Sequence, residues 1–107
     1  MQFTIDEVRS YITENISEIR SPQDVAEGMD IPYETLRKSV RRASRKTLGS
    51  LIREVRIRRA KELLRETDKY CFEVSYEVGF RREDVAARVF REQTGMSMLN
   101  YRREYAD

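Results

Sequence analysis

The sequence predicts an all-α fold of about seven helices, arranged as two helix-turn-helix units joined by one long helix. Apolar residues recur at helical spacing along most of the chain. A pattern of short helix, turn and basic helix occurs twice, and one long segment without proline separates the two copies. We therefore expect an N-terminal unit at residues 1–46, a linker helix at 47–66 and a C-terminal unit at 67–107.

The first helix carries a complete start signal. Thr4 is the expected N-cap, Glu7 closes a capping box with it, and Phe3 packs against Val8 as a hydrophobic staple. The helical period predicts one apolar side that consists of Ile5, Val8, Tyr11 or Ile12, Ile16 and Ile19.

Two shorter helices complete the first unit. Ser21 is the expected cap of the second helix, because Pro22 follows it at the first helical position. Residues 28–30 interrupt that helix, and residues 31–32 open the third. The third helix should run from Tyr33 to about Arg45 with Leu36 and Val40 on its apolar side.

The segment from Thr47 to Arg65 predicts the long linker helix. Thr47 can accept a backbone N–H as its N-cap. Its apolar residues predict one buried stripe that both units share, which consists of Leu48, Leu51, Ile52, Val55, Ala60, Leu63 and Leu64.

The second unit begins after a polar connection at residues 66–69. Apolar residues alternate over residues 72–78, which is compatible with a strand, but Gly79 favours a short helix that ends in the left-handed conformation. A helix from Arg82 to Thr94 should follow and stop at Gly95. Ser97 is the expected cap of a last helix that carries Tyr101 and Tyr105.

The two units are internal repeats. Val25-Ala26 aligns with Val74-Ser75 and Asp30-Ile31 with Gly79-Phe80 at an offset of 49 residues, whereas Leu36 to Arg41 aligns with Ala86 to Arg91 at an offset of 50. The second unit thus has one extra residue after its turn.

Charge is divided unevenly along the chain. The overall net charge is only +2, but residues 37–65 hold 12 basic and 2 acidic side chains, and residues 1–36 hold 2 and 8. The basic block is compatible with a solvated helix face or with nucleic-acid binding. The lone Cys71 and the absence of His argue against disulfides, metal sites and cofactors, and we expect no enzymatic activity. No apolar run is long enough for a membrane helix, so a cytoplasmic protein is expected.

The sequence resembles the DNA-binding domain of the AraC/XylS family of bacterial transcription regulators. The resemblance spans about residues 5–103 and rests on Arg56, Ala60, Leu63 and Leu64 in the pattern R-x-x-x-A-x-x-L-L, Thr67-Asp68, Val78-Gly79-Phe80, Arg88-Val89-Phe90, Gly95 and Tyr101-Arg102. It implies sequence-specific binding of double-stranded DNA, with two recognition helices in successive major grooves of one asymmetric site.

The resemblance also implies which residues meet DNA. The base-reading residues would be Tyr33, Glu34, Arg37 and Lys38 of the first recognition helix and Asp84, Val85, Ala87 and Arg88 of the second. The phosphate-binding residues would be Arg41, Arg42, Arg81, Arg82 and Arg91. Arginine and lysine can donate to guanine, whereas Glu34 and Asp84 can only accept, for example from a cytosine amino group.

The sequence departs from the family pattern mainly in its second unit. Arg81-Arg82 stands where a serine-like cap is usual, Ala86 replaces a Phe and Met98 a Pro. In the first unit, Asp30 replaces the usual turn glycine, which is tolerable because Asp can adopt the left-handed conformation.

A second function remains open from the residues alone. The acidic segment 1–36 and the acids of the second recognition helix also suit a helical protein-interaction module with weak or no DNA binding. RNA polymerase or another regulator would then be its partner. For the DNA-binding hypothesis, we expect a monomer on DNA or the DNA-binding part of a longer protein.

Overall fold

The computed structural model describes residues 3–107, which form seven α-helices and no strand. The helices are α1 (Ile5–Glu14), α2 (Pro22–Met29), α3 (Tyr33–Ser44), α4 (Leu48–Glu66), α5 (Cys71–Glu77), α6 (Glu83–Thr94) and α7 (Met98–Tyr105). The predicted all-α fold with two helix-turn-helix units is confirmed. The chain divides into two compact units, of which unit 1 ends at Val55 and unit 2 comprises Arg56–Asp107. Within residues 3–107, none of the helices has the length and apolar character needed to cross a membrane.

Helix α1 begins as the sequence predicts. The Thr4 hydroxyl accepts the Glu7 backbone N–H at 3.2 Å, and the Glu7 carboxylate accepts the Thr4 backbone N–H at 3.3 Å. The helix ends at Glu14, however, so Ile16 and Ile19 are buried from the segment that follows it rather than from its own apolar side. Helix α1 and the segment after it therefore both contribute buried side chains to the core.

Helix α2 begins without the predicted hydroxyl cap. Ser21 occupies the N-cap position and Pro22 the first turn, but the Ser21 side chain makes no capping hydrogen bond. The Asp24 carboxylate accepts instead the backbone N–H of Arg20 at 2.8 Å, just outside the helix. The start of α2 is thus fixed by proline and by an acid of the first turn.

The long helix α4 begins at its predicted cap, where the Thr47 hydroxyl accepts the Ser50 backbone N–H at 3.1 Å. All seven residues of its predicted apolar stripe are buried. They divide between the two cores, with Leu48, Leu51, Ile52 and Val55 in unit 1 and Ala60, Leu63 and Leu64, together with Ile57, in unit 2. Ile57 is the residue that the stripe had omitted.

Unit 2 closes with α7, which supplies side chains to its core and to the end of α4. The Ser97 hydroxyl caps α7 by accepting the Asn100 backbone N–H at 3.1 Å, as predicted. The Arg102 guanidinium donates to the carbonyls of Leu64 at 3.0 Å and Thr67 at 3.2 Å. These carbonyls lie at and after the last turn of α4, where backbone acceptors have no partner within the helix.

Candidate nucleic-acid interface

The same backbone turn precedes α3 and α6. In unit 1, Ile31 N–H donates to the Ala26 carbonyl at 3.0 Å, and in unit 2, Phe80 N–H donates to the Ser75 carbonyl at 3.0 Å. Both bonds span five residues and enclose one residue with positive φ, Asp30 at 58° and Gly79 at 99°. The predicted left-handed conformations of Asp30 and Gly79 are confirmed, and so is the preference for a short helix over a strand before Gly79.

Helix α3 has one apolar face and one basic face. Leu36 and Val40 are buried in the core of unit 1, as predicted. The opposite face exposes Glu34 and four basic residues, which are Arg37, Lys38, Arg41 and Arg42. Tyr33 is half-buried against the core at the start of the helix. A helix of this kind can rest on its own unit and still present several cations to a ligand.

An ion pair joins two of the predicted base-reading residues of α3. Arg37 donates from Nε to Glu34 Oε1 at 3.3 Å and from Nη2 to Glu34 Oε2 at 2.8 Å. The hydrogen bond from Arg37 holds the pKa of the Glu34 carboxyl below its ordinary value of 4.5. Within residues 3–107, Lys38, Arg41 and Arg42 take part in no ion pair. Three cations of this face are therefore available to phosphates or bases.

Helix α6 also packs through one face, but its exposed face is more acidic. Ala86, Val89 and Phe90 are buried, and Ala87, Arg88 and Arg91 are exposed. Val85 is half-buried and packs partly against the core of unit 2, so only part of its side chain is available to a ligand. The helix carries two basic and three acidic side chains, compared with four and one on α3.

The arginines of the second recognition helix are more fully paired. Arg82 donates from Nε and Nη2 to the two carboxylate oxygens of Asp84 at 3.0 and 2.8 Å, which lowers the pKa of Asp84. Arg88 donates from Nη1 to Glu92 Oε1 at 3.0 Å. Glu92 was missed at the level of sequence, although its distance of four residues from Arg88 is a known signal for such a pair.

The sequence-based hypothesis also left out two cations next to α3. Arg45 follows the helix in the left-handed conformation with φ of 63° and is exposed, and Lys46 pairs with Glu54 at 2.9 Å. Arg81 is exposed at the turn before α6. Over residues 3–107, the structure contains no group of His, Cys, Asp and Glu that could hold a metal ion.

Comparisons with known proteins agree with this architecture. A model of the helix-turn-helix domain family matches residues 25–104. The melibiose operon regulatory protein of Escherichia coli K12 is 28% identical over 102 residues, and this chain spans only 34% of its length. The regulatory protein SoxS of the same organism is 28% identical over 101 residues, which cover 94% of both chains.

Solved structures share the fold over most of their length. The C-terminal domain of AraT, a response regulator from Geobacillus stearothermophilus, superposes with a TM-score of 0.87 at 22% identity, covering all of this chain and 91% of that domain. The DNA-binding domain of the transcription factor AdpA, solved in complex with a target DNA, has a TM-score of 0.84 at 25% identity, covering 94% of this chain and 91% of its own.

Proposed function

Because the chain belongs to the AraC/XylS family of helix-turn-helix proteins, we propose that it is a sequence-specific, double-stranded-DNA-binding transcription regulator. The observation that carries the proposal is the exposed basic face of α3, which directly follows a helix-turn-helix turn. Cations on such a helix can contact phosphates and base edges in a major groove. The DNA complex of the similar AdpA domain supports this activity over a module that binds protein alone.

The two recognition helices have unequal roles in this proposal. In α3, Tyr33, Glu34, Arg37 and Lys38 face the bases while Arg41 and Arg42 bind phosphate. In α6, the corresponding sets are Asp84, Val85, Ala87 and Arg88, with Arg81, Arg82 and Arg91 at phosphates. The two helices enter successive major grooves of one site. The greater positive charge of α3 supports it as the main source of specificity, since donors to guanine give the strongest discrimination.

The proposal divides the chain into two DNA-binding units and a linker helix. Residues 1–46 and 67–107 act as the two units, and residues 47–66 connect them. The chain binds DNA as a monomer in the bacterial cytoplasm. RNA polymerase is a further partner, which is supported by the acidic side chains of α1 and α2 on a part of unit 1 distinct from the basic face.

Selection of bound sites from random duplexes tests the proposal most directly. One recurrent motif should emerge, and fluorescence anisotropy with that duplex should show binding at about 50 mM salt that weakens as salt rises. Five phosphate contacts predict a slope of log affinity against log salt of about −4.5. Failure to bind any duplex at low salt would refute the proposal.

A matched variant separates local contacts from total charge. Arg103 is an exposed cation on α7 that has no place in the proposed interface. Arg103→Ala should leave the salt slope unchanged, whereas Arg41→Ala should make it less negative by about 1. Equal effects of the two substitutions would show that DNA responds only to net charge.

A further inference from the structure

The fork between Glu34 and Arg37 uses one particular edge of the guanidinium. Glu34 accepts from Nε and Nη2, the two nitrogens on the side of the group. Arginine has five N–H donors in a rigid plane, so three remain after this fork has formed. Two of these three are parallel donors on Nη1 and Nη2 at the end of the group. The end of Arg37 is therefore free while its side is held.

The free edge matches one base in the major groove. Guanine presents O6 and N7 as two adjacent acceptors, and a pair of parallel arginine donors binds both. An arginine held along its side loses less conformational freedom when it makes this contact, because its plane is already oriented. The carboxylate thus prepares Arg37 for guanine at the cost of placing a negative charge near phosphates.

Stability gives no strong reason for the pair. Glu34 and Arg37 are exposed to 63% and 47% in their side chains, and exposed pairs of this spacing add little to a helix. A carboxylate on a surface that faces DNA should weaken binding by repulsion. The two hydrogen bonds that Glu34 accepts from Arg37 are better explained by the orientation that they give to the guanidinium plane.

The repeat provides an internal contrast. Asp84 is the equivalent of Glu34 at an offset of 50 residues, and both are the second residue of their recognition helix. Asp84 makes the same side-on fork, but with Arg82 before the helix instead of an arginine one turn later. The same acid position therefore orients an arginine within α3 and an arginine at the entrance of α6.

We propose that Glu34 is a positioning residue that fixes the guanidinium plane of Arg37 so that its end edge reads a guanine. The inference rests on the proposed function, because it requires that Arg37 faces DNA bases. It differs from direct base contact by Glu34, since the carboxylate acts through Arg37. Glu34 then determines specificity at the base that Arg37 reads.

The experiment compares wild type with Glu34→Ala, Arg37→Ala and the double variant on the selected site and on its three single-base substitutions at each position. Arg37→Ala should abolish preference for one guanine, a loss of about 5-fold to 150-fold. Glu34→Ala should lower the same preference by about 5-fold while affinity for random duplex stays equal or rises. The double variant should match Arg37→Ala, because Glu34 acts only through that side chain.

Two further variants serve as controls. Asp84→Ala removes the same charge at the equivalent position and should leave that guanine preference as in wild type. Glu34→Gln keeps one acceptor oxygen and should retain part of the preference. Thermal unfolding of every variant verifies that the fold is intact.

Four results would contradict the proposal, and they can be distinguished from one another. Loss of preference at a different base in Glu34→Ala, with the guanine preference intact, would show that Glu34 reads its own base and overturn the proposal. Equal gains of affinity for specific and random duplex would assign Glu34 a purely electrostatic role and also overturn it. If Arg37→Ala keeps the guanine preference, the positioning proposal is overturned, whereas the proposed DNA-binding function is not. Absence of DNA binding in wild type would refute the proposed function as well.

Discussion

The two units have the same turn but fill their cores differently. The buried residues of unit 1 are all aliphatic, whereas those of unit 2 include Phe80, Phe90 and Tyr101. Phe90 and Tyr101 meet edge to face with ring centroids 5.5 Å apart, and the Arg56 guanidinium lies 5.4 Å from the centre of the Phe80 ring. At the equivalent positions Leu36 and Ala86, the larger side chain is in unit 1 instead.

The comparison indicates that the two units place large side chains at different core positions, although both keep the same backbone turn. Ala86 shares its core with three aromatic side chains, whereas Leu36 lies in a core of aliphatic residues. Cores accept such exchanges when total volume and apolar pattern are preserved. A family position is therefore best interpreted together with its neighbours, and the missing Phe at position 86 does not by itself weaken unit 2.

The largest expected effect comes from exchanging the residues at these equivalent positions. Leu36→Ala should lower the free energy of unfolding by about 2–5 kcal/mol, because it leaves a cavity in a fully buried site. Ala86→Leu should cost about 1–3 kcal/mol by overpacking. Chemical denaturation measures both. Stabilisation by Ala86→Leu would show that unit 2 is underpacked and that the rings do not compensate.

The second comparison is between the basic faces of α3 and α6. Arg41→Ala combined with Arg42→Ala should lower DNA affinity by at least about tenfold at moderate salt and make the salt slope less negative by about 2. Arg91→Ala, on α6, should change the slope by about 1. Anisotropy titrations over a salt series measure these slopes. A larger effect from Arg91→Ala would reverse the proposed ranking of the helices.

The left-handed positions provide a third contrast, since unit 2 uses glycine where unit 1 does not. Gly79→Ala should destabilise by about 1–2 kcal/mol, because its φ of 99° strains any residue with a Cβ. Asp30→Gly should be neutral or stabilise by less than about 1 kcal/mol. Thermal unfolding compares the pair. A destabilising Asp30→Gly would indicate that the Asp30 side chain contributes contacts of its own.

The smallest effect concerns acid sensitivity of unit 1. Lys46 and then Arg9 hold the pKa of Glu54 below its ordinary value of 4.5. The pair energy is therefore present above the unfolded pKa and is lost as pH falls from about 4.5 through the folded pKa. Glu54→Gln should lower stability at neutral pH by up to about 1 kcal/mol and by nothing at the acid end. Hydrogen exchange of α1 amides at several pH values follows this, and a constant difference across pH would exclude the linkage.

Much of the fold could be predicted because local chemistry determines it. The capping box at Thr4, the caps at Thr47 and Ser97 and the stops at Gly79 and Gly95 all depend on residues within one turn of each other. The spacing of apolar residues also predicted that both units share the stripe of α4, but it missed Ile57 in the core of unit 2. The Ser21 hydroxyl makes no cap, and the Asp24 backbone N–H donates to the Ser21 carbonyl at 3.0 Å instead, a choice that residue type and spacing do not determine.

The exposed faces of the two candidate recognition helices could be predicted, but the ion pairs on them could not. The exposed faces of α3 and α6 follow from helical period alone. The edge of Arg37 that Glu34 occupies depends on side-chain rotamers, which spacing does not determine. The charge contrast between the helices was visible in the sequence, whereas the partner of Arg82 was not.

The attachment of α7 to unit 2 has a consequence for synthesis on the ribosome. The chain emerges from its N-terminus, and Tyr101 is added 46 residues after Val55, the last core residue of unit 1. At about 5–20 residues per second, that interval lasts about 2–9 s. Helices α5 and α6 are synthesised within it, and Tyr101 follows Phe90 of α6 by 11 residues, or about 0.5–2 s. For that shorter time their apolar surfaces lack the side chains of Met98 and Tyr101. We therefore expect nascent unit 2 to expose apolar surface to which a chaperone can bind.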